Sequence, residues 1–147
     1  MPKSKHTARV QRIIVDTNVL VSSLLGKSYP HKIVFDLIFA GKISLFASVA
    51  ILEEYQGVLF RKKFQGKCGF RPAAENLIES VKDISIFINP KVPVRVLSDE
   101  SDNKFLELAL ASQADFLITG NSKHFPLKQF ENTKILSPKE YWDGYWK

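Results

Sequence analysis

The chain has 147 residues, of which 45% are hydrophobic and 24% are charged, and this composition suits one compact domain with a substantial core. Its single cysteine, Cys68, excludes an intramolecular disulfide, and no apolar run approaches the roughly 20 residues that a membrane span requires. The formal net charge is +6, and the basic excess is concentrated in the first dozen residues and in residues 61–71.

These properties predict a protein of a reducing, cytoplasmic compartment that does not enter a membrane. Residues 1–11 are interpreted as a short basic arm, because they lead into no apolar segment of the roughly 7–15 residues found in a secretory signal. Residues 12–147 are expected to form a single domain. A basic surface suits a polyanionic partner such as nucleic acid, although lysine-rich surfaces also serve solubility.

Apolar runs of strand length alternate with segments of helical period along the chain. Strands are predicted at residues 13–15, 43–46, 84–88, 116–119 and 133–136. Helices are predicted at residues 18–25, 31–40, 48–60, 72–82, 101–113 and 138–145, with Gly41 ending the second and Ser48 capping the third. Such alternation is typical of a parallel sheet covered by helices on both faces, so the predicted fold class is α/β.

The first strand ends abruptly on a carboxylate, Asp16, which follows a run of β-branched residues. A fully apolar strand indicates burial on both faces of a parallel sheet, which places Asp16 where the carboxyl edge of the sheet opens into a ligand crevice. An unpaired aspartate at the end of a buried strand is costly unless something compensates its charge. Asp16 is therefore the first candidate functional residue.

Two further carboxylates have a helical phase that turns them toward the interior. In the helix predicted over residues 48–60, Glu53 falls opposite the apolar face, whereas Glu54 lies at its edge. In the helix predicted over 101–113, Asp102 continues the apolar stripe into the first turn. An acidic residue in a first turn is also an ordinary partner of the helix dipole, and that interpretation stays open for Asp102.

Four segments in this order resemble the motifs of the PIN-domain nucleases. They are residues 15–18 (VDTN), 48–55 (SVAILEEY), 99–109 (DESDNKFLELA) and 114–121 (ADFLITGN). The resemblance covers nearly the whole chain, from about residue 13 to residue 141. It is greatest to the PIN proteins that act as toxins of toxin–antitoxin systems.

The resemblance implies a three-layer α/β/α domain whose central, mostly parallel sheet gathers acids around Mg²⁺ or Mn²⁺, where metal-activated water hydrolyses RNA. The catalytic, metal-holding acids would be Asp16, Glu54 and Asp102. Many family members have a fourth aspartate where this chain has Asn121, which offers a carbonyl oxygen without a charge. The polar residues expected to orient a carboxylate or a metal-bound water are Asn18, Asn103 and Thr119.

Basic side chains near the expected site would guide the RNA backbone. They are Arg61, Lys62, Lys63, Lys67, Arg71, Lys123 and His124. The resemblance also implies a homodimer and an antitoxin protein that blocks the site until it is released.

Other functions remain compatible with the sequence. The domain could be a catalytically silent RNA-binding module in which Asn121 marks lost activity, a nuclease of RNA processing or DNA repair without an antitoxin, or a metallophosphatase. Nucleotide binding is not supported, because no Gly-x-Gly-x-x-Gly follows a strand and Val21 stands where a P-loop requires glycine. The aromatic residues at the C-terminus are expected to dock on the core or on a partner subunit rather than stack on bases.

Overall fold

The computed structural model describes residues 9–64, 66–121 and 125–146. The strands are β1 (Arg12–Val15), β2 (Ser44–Ala47), β3 (Ile86–Phe87), β4 (Phe116–Ile118), β5 (Gln129–Phe130) and β6 (Thr133–Leu136). The helices are α1 (Thr17–Leu25), α2 (Tyr29–His31, continued by a π-helical stretch over Lys32–Ile38), α3 (Val49–Leu59), α4 (Phe70–Ile84), α5 (Asn103–Ser112) and α6 (Pro138–Tyr141, continued by a π-helical stretch over Trp142–Trp146). Single 3₁₀ turns cover Lys62–Phe64 and Glu100–Asp102. No helix in these three ranges is long and apolar enough to cross a membrane.

The strands form one six-stranded sheet in the order β3-β2-β1-β4-β6-β5. Every neighbouring pair is parallel except β5 and β6. The chain therefore builds outward from β1 through β2 to β3, and then crosses back to place β4 on the other side of β1. In open α/β sheets, ligands bind outside the carboxyl ends of the strands at such a point of reversal.

The central strand β1 is buried on both faces. Ile13, Ile14 and Val15 are each 0% exposed, so helices cover both sides of the sheet, and the predicted α/β/α architecture is confirmed. The ladder extends one residue beyond β1, because the Asp16 backbone N–H donates to the Ile118 carbonyl at 2.8 Å. This bond places Asp16 beside the carboxyl end of β4.

The predicted elements are present, with shifts at their ends. The strand over 133–136 is confirmed as β6, and the Ser48 hydroxyl caps α3 by accepting from the Ile51 backbone N–H at 3.2 Å. Helix α4 extends to Ile84 and shortens the strand predicted over 84–88 to Ile86–Phe87, both residues of which are exposed on an edge. Strand β5 was not predicted, because two residues at a sheet edge carry no periodicity.

The C-terminal aromatic residues dock on the core, as expected from the sequence. Tyr141 is fully buried, with its ring centroid 5.4 Å from that of Phe116 in an edge-to-face arrangement. The Tyr145 ring lies 4.9 Å from the same phenylalanine. The C-terminal segment therefore packs against β4, the strand that directly precedes Thr119 and Asn121.

Candidate active site

A cavity of about 560 Å³ opens at the carboxyl ends of β1 and β4, at the reversal of strand order. Among the described residues, four carboxylates line it. They are Asp16, Glu54, Asp99 and Asp102, and we call the space that they surround the acid cavity. The asparagines Asn18 and Asn121 and the basic residues Arg61 and Lys63 also line it. The fold thus brings the three sequence-predicted acids, which are far apart along the chain, to one cavity.

Asp16 is 4% exposed and is the N-cap residue of α1. Its Oδ1 accepts from the Thr17 backbone N–H at 2.7 Å, and its Oδ2 accepts from the Thr119 hydroxyl at 2.7 Å. Hydrogen bonds to an ionised carboxylate are among the stronger ones in proteins. These donors offset part of the cost of burying a charge at the end of an apolar strand.

Glu54 is held by partners on both carboxylate oxygens. The Thr17 hydroxyl donates to Oε2, and the Lys104 ammonium lies 2.8 Å from Oε1. The Glu54 side chain is 20% exposed and that of Lys104 is 23% exposed, so this ion pair is largely shielded from solvent. The neighbouring Glu53 is exposed, in agreement with the helical phase read from the sequence.

Asp102 ends the 3₁₀ turn that precedes α5, and it is 5% exposed. Asp99 caps this turn, because its Oδ1 accepts from the Ser101 backbone N–H at 2.9 Å and from the Ser101 hydroxyl at 2.7 Å. The turn therefore carries two of the four carboxylates of the acid cavity. Asp99 was read from the sequence only as a residue of the motif, without a role in the site.

The polar residues predicted to orient the acids have different contacts. Thr119 donates to Asp16 and also accepts from the Asn121 backbone N–H at 3.1 Å. Asn18 accepts from the Gly120 backbone N–H at 3.1 Å and so ties the start of α1 to the end of β4. Both contacts join the two strand ends on which the cavity is built.

The contacts of Asn103 differ from the prediction that its side chain orients a carboxylate of the site. Its Oδ1 accepts from the Leu97 backbone N–H at 2.9 Å, and its amide donates to the Leu97 carbonyl at 3.4 Å. The side chain is buried and pairs with both polar groups of one backbone residue, so it fixes the loop before α5 instead of orienting a carboxylate.

The basic residues predicted to guide RNA lie at different places on the protein. All four of Arg61, Lys62, Lys63 and Lys67 are exposed, and of these Arg61 and Lys63 line the acid cavity. Arg71 instead pairs with Glu75 at 3.3 Å, and its guanidinium lies 4.7 Å from the centre of the Phe60 ring. Two further predicted contacts, Lys123 and His124, lie outside the described residues.

Two residues that contact the site were not singled out from the sequence. Tyr55 follows Glu54 in α3 and is fully buried, and its hydroxyl donates to the Val15 carbonyl at 2.6 Å. Burial, and after it the charges of Asp16 and Glu54, raise the pKa of Tyr55 well above its ordinary value. The other residue is Lys104, whose ammonium neutralises Glu54. A tyrosine on an apolar helix face and a lysine near a helix start are too common in sequences to indicate such roles.

The carboxylates share the cavity without forming a ready-made cage. Within residues 9–64, 66–121 and 125–146, no group of three or more His, Cys, Asp and Glu side chains is arranged so that it could hold a metal ion. The three-carboxylate ligation expected for Asp16, Glu54 and Asp102 is therefore not formed in this conformation. The donors that engage Asp16 and Glu54 come from the protein itself.

This chain resembles known proteins both in sequence and in fold. A family model described as PIN domain matches residues 12–123. The uncharacterized protein MJ1680 of Methanocaldococcus jannaschii is 32% identical over 146 residues, covering 92% of this chain and 92% of that protein. The crystal structure of PAE2754 from Pyrobaculum aerophilum has a TM-score of 0.54 and 13% sequence identity, covering 88% of this chain and 85% of that chain. At this identity, the likeness to PAE2754 shows a shared fold.

Proposed function

This chain belongs to the PIN domain family, whose members are in general nucleases, and on that basis we propose that it is a metal-dependent endoribonuclease. The observation that carries the proposal is the acid cavity, which lies at the reversal of strand order and is flanked by Arg61 and Lys63. Carboxylates that could attract a divalent cation therefore adjoin cationic side chains that could attract phosphate. A metal-dependent nuclease can use both, the cation to activate water and the positive side chains to hold the RNA backbone.

The donor chemistry of the cavity fits a hard divalent cation. Carboxylate and amide oxygens are the ligands that Mg²⁺ and Mn²⁺ prefer, and Asp16, Glu54, Asp102 and Asn121 offer them. Mg²⁺ usually keeps several waters and binds through one or two carboxylates, so a cage of three is not required. We propose that these residues hold the ion directly or through its water shell. When bound, such an ion lowers the pKa of a water molecule and offsets the charge of the phosphoryl oxygens.

The contributions of the chain itself are positioning and charge. Thr17 and Thr119 fix the Glu54 and Asp16 carboxylates through their hydroxyl groups. Preorganised groups of this kind spare the site a rearrangement at the moment of reaction. Arg61 would contact a phosphate of the RNA backbone from the wall of the cavity. The substrate would thus be held by charge, whereas its sequence would be selected by surfaces beyond the cavity.

The chain offers a matched pair of variants for the test. Glu54→Gln removes a carboxylate of the acid cavity, whereas Glu53→Gln removes its exposed neighbour on the same helix. Purified variants are incubated with end-labelled single-stranded and hairpin RNAs and with DNA of the same sequences, in Mg²⁺, Mn²⁺ or EDTA. We expect internal cleavage of RNA that requires the metal. It should fall by about 100-fold or more in Glu54→Gln and in Asp16→Ala, and it should persist in Glu53→Gln.

Each contrary outcome identifies a different function. Cleavage by Asp16→Ala at the wild-type rate contradicts the proposed site. RNA binding without cleavage under any metal condition indicates a silent binding module, and release of phosphate from a small phosphomonoester indicates a phosphatase. Preferential cleavage of DNA indicates a repair nuclease.

We further propose that the chain is the toxin of a toxin–antitoxin pair and acts as a homodimer in the cytoplasm. The support is the order and spacing of the four motifs, which resemble those of such toxins. Induced expression should arrest growth, and co-expression of the adjacent reading frame should restore it, whereas Asp16→Ala should be harmless by itself. Full activity without growth arrest would favour a nuclease of RNA processing. Light scattering of the purified protein tests the dimer.

A further inference from the structure

Lys104 forms an ion pair with Glu54, one of the acids of the cavity. Its ammonium nitrogen lies 2.8 Å from Glu54 Oε1, and both side chains are about four-fifths shielded from solvent. Shielding matters because exposed ion pairs contribute little, whereas water and salt screen a buried pair much less. The attraction between Lys104 and Glu54 is therefore screened less than that of an exposed pair.

The lysine reaches Glu54 from outside the acid cavity. Of the described residues, Lys104 lines a separate groove of about 340 Å³ that also contains Glu53 and Glu107, whereas Glu54 lines the acid cavity. The ammonium group thus cancels the charge of Glu54 without taking up space where a cation would enter. A carboxylate has about four lone-pair positions, so Glu54 keeps sites for a further contact after binding Lys104 and Thr17.

Several described residues reduce the negative charge of the acid cavity, among them Arg61 and Lys63 in its lining. Asn121 contributes an amide to the lining, and Lys104 neutralises one of the four carboxylates. Two divalent cations close together require a high density of negative charge, because each repels the other as well as the lysine. We propose that Lys104 is a built-in counter-charge that weakens the binding of divalent cations in the acid cavity and so limits it to one. This inference rests on the proposed function, since it takes a divalent cation to bind there.

Removal of the lysine charge provides the test. In Lys104→Gln the side-chain amide can still donate to Glu54, but the repulsion between the ammonium and the bound ion is lost. We expect Mn²⁺ to bind roughly tenfold more tightly, because a unit charge and a doubly charged ion interact appreciably even at a high effective dielectric constant. The wild type should bind one Mn²⁺ per chain. Isothermal titration calorimetry on chelator-treated, dialysed protein measures both quantities without RNA.

Three variants serve as comparisons. Lys104→Arg retains the positive charge and should bind Mn²⁺ as the wild type does. Lys139→Gln removes a lysine that pairs with Asp143 at 2.6 Å on α6, and it controls for a change in overall charge. Lys104→Met is the second charge-removing variant in case Lys104→Gln does not fold, and melting curves establish the folding of each protein.

The outcomes separate this inference from the proposed function. One Mn²⁺ in the wild type with tighter binding in Lys104→Gln or Lys104→Met supports the inference. Equal affinities in these proteins, or two Mn²⁺ ions in the wild type, overturn it while leaving metal-dependent cleavage intact. Absence of Mn²⁺ binding in every protein overturns both. Normal Mn²⁺ binding without RNA cleavage overturns only the proposed function.

Discussion

The Thr119 hydroxyl is one of the links between the ends of β1 and β4, and its removal should lower the stability of the fold. Thr119 is 5% exposed, donates to Asp16 Oδ2 at 2.7 Å and accepts from the Asn121 backbone N–H at 3.1 Å. Thr119→Val keeps the shape of the side chain and removes both hydrogen bonds. Thr119→Ser keeps the hydroxyl and removes only a methyl group.

The expected loss of stability in Thr119→Val follows from the kinds of hydrogen bond that it removes. A hydrogen bond to a charged group contributes about 1.5–3 kcal/mol, and a neutral one contributes about 0.5–1.5 kcal/mol. Because Asp16 keeps its bond from the Thr17 backbone N–H, the lower part of the combined range applies. We expect Thr119→Val to lower the free energy of unfolding by about 2–3 kcal/mol, whereas Thr119→Ser should cost about 0.8 kcal/mol for one methyl group.

Urea denaturation followed by circular dichroism measures these differences. For a chain of this size, the loss in Thr119→Val corresponds to a fall in Tm of about 4–12 °C. The slope of the free energy against urea should stay unchanged, since neither variant alters the surface exposed on unfolding. Equal stabilities of the Val and Ser variants would refute the reasoning, because the hydroxyl would then contribute nothing to joining the strand ends.

Three further outcomes are expected. Tyr55→Phe leaves the buried Val15 carbonyl without its 2.6 Å donor, so urea denaturation should show a loss of about 1–2 kcal/mol; an unchanged midpoint would contradict this. Since burial, then Asp16 and then Glu54 raise the pKa of Tyr55, the unfolded chain releases this proton first. The stabilisation that comes from this raised pKa is fully present below pH about 10, the ordinary pKa of tyrosine. It is lost as the pH rises from there to the pKa of Tyr55 in the folded protein. Melting at pH 9 and 11 should therefore show a smaller fall in Tyr55→Phe than in the wild type, and equal falls would count against the assignment. Gly69, at φ 77° before α4, has open space around an added Cβ, so Gly69→Ala should cost only the backbone strain of about 1–2 kcal/mol; a stabilised variant would show that the backbone can relax.

The sequence predicts the positions of the acids within their own strand or helix, because those positions depend on local periodicity. The buried run before Asp16 identified a central strand, and the 3.6-residue period separated Glu54 from the exposed Glu53. Both properties belong to a single element and its buried face. The position of Asp102 at the start of α5 followed from the same period, combined with its place before an apolar stripe.

Contacts between elements could not be read from the sequence in the same way. The bond from Asn103 to Leu97 depends on the path of a loop without periodicity, and the pairing of Lys104 with Glu54 depends on how α5 packs beside α3. The two-residue strand β5 exists only because β6 offers an edge to pair with. Tertiary packing decides such features, and residue types by themselves do not encode it.

The order in which the acid cavity is assembled has a consequence for how the protein is made. Asp16 and its neighbour Thr119 are separated by 103 positions in the chain, yet one hydrogen bond joins them. A ribosome must therefore complete β4 before the Asp16 carboxylate gains its hydrogen bond from the Thr119 hydroxyl, and until β6 follows, β4 has an open edge. The acid cavity is therefore completed only after the segment that carries β4 and Thr119 has been synthesised.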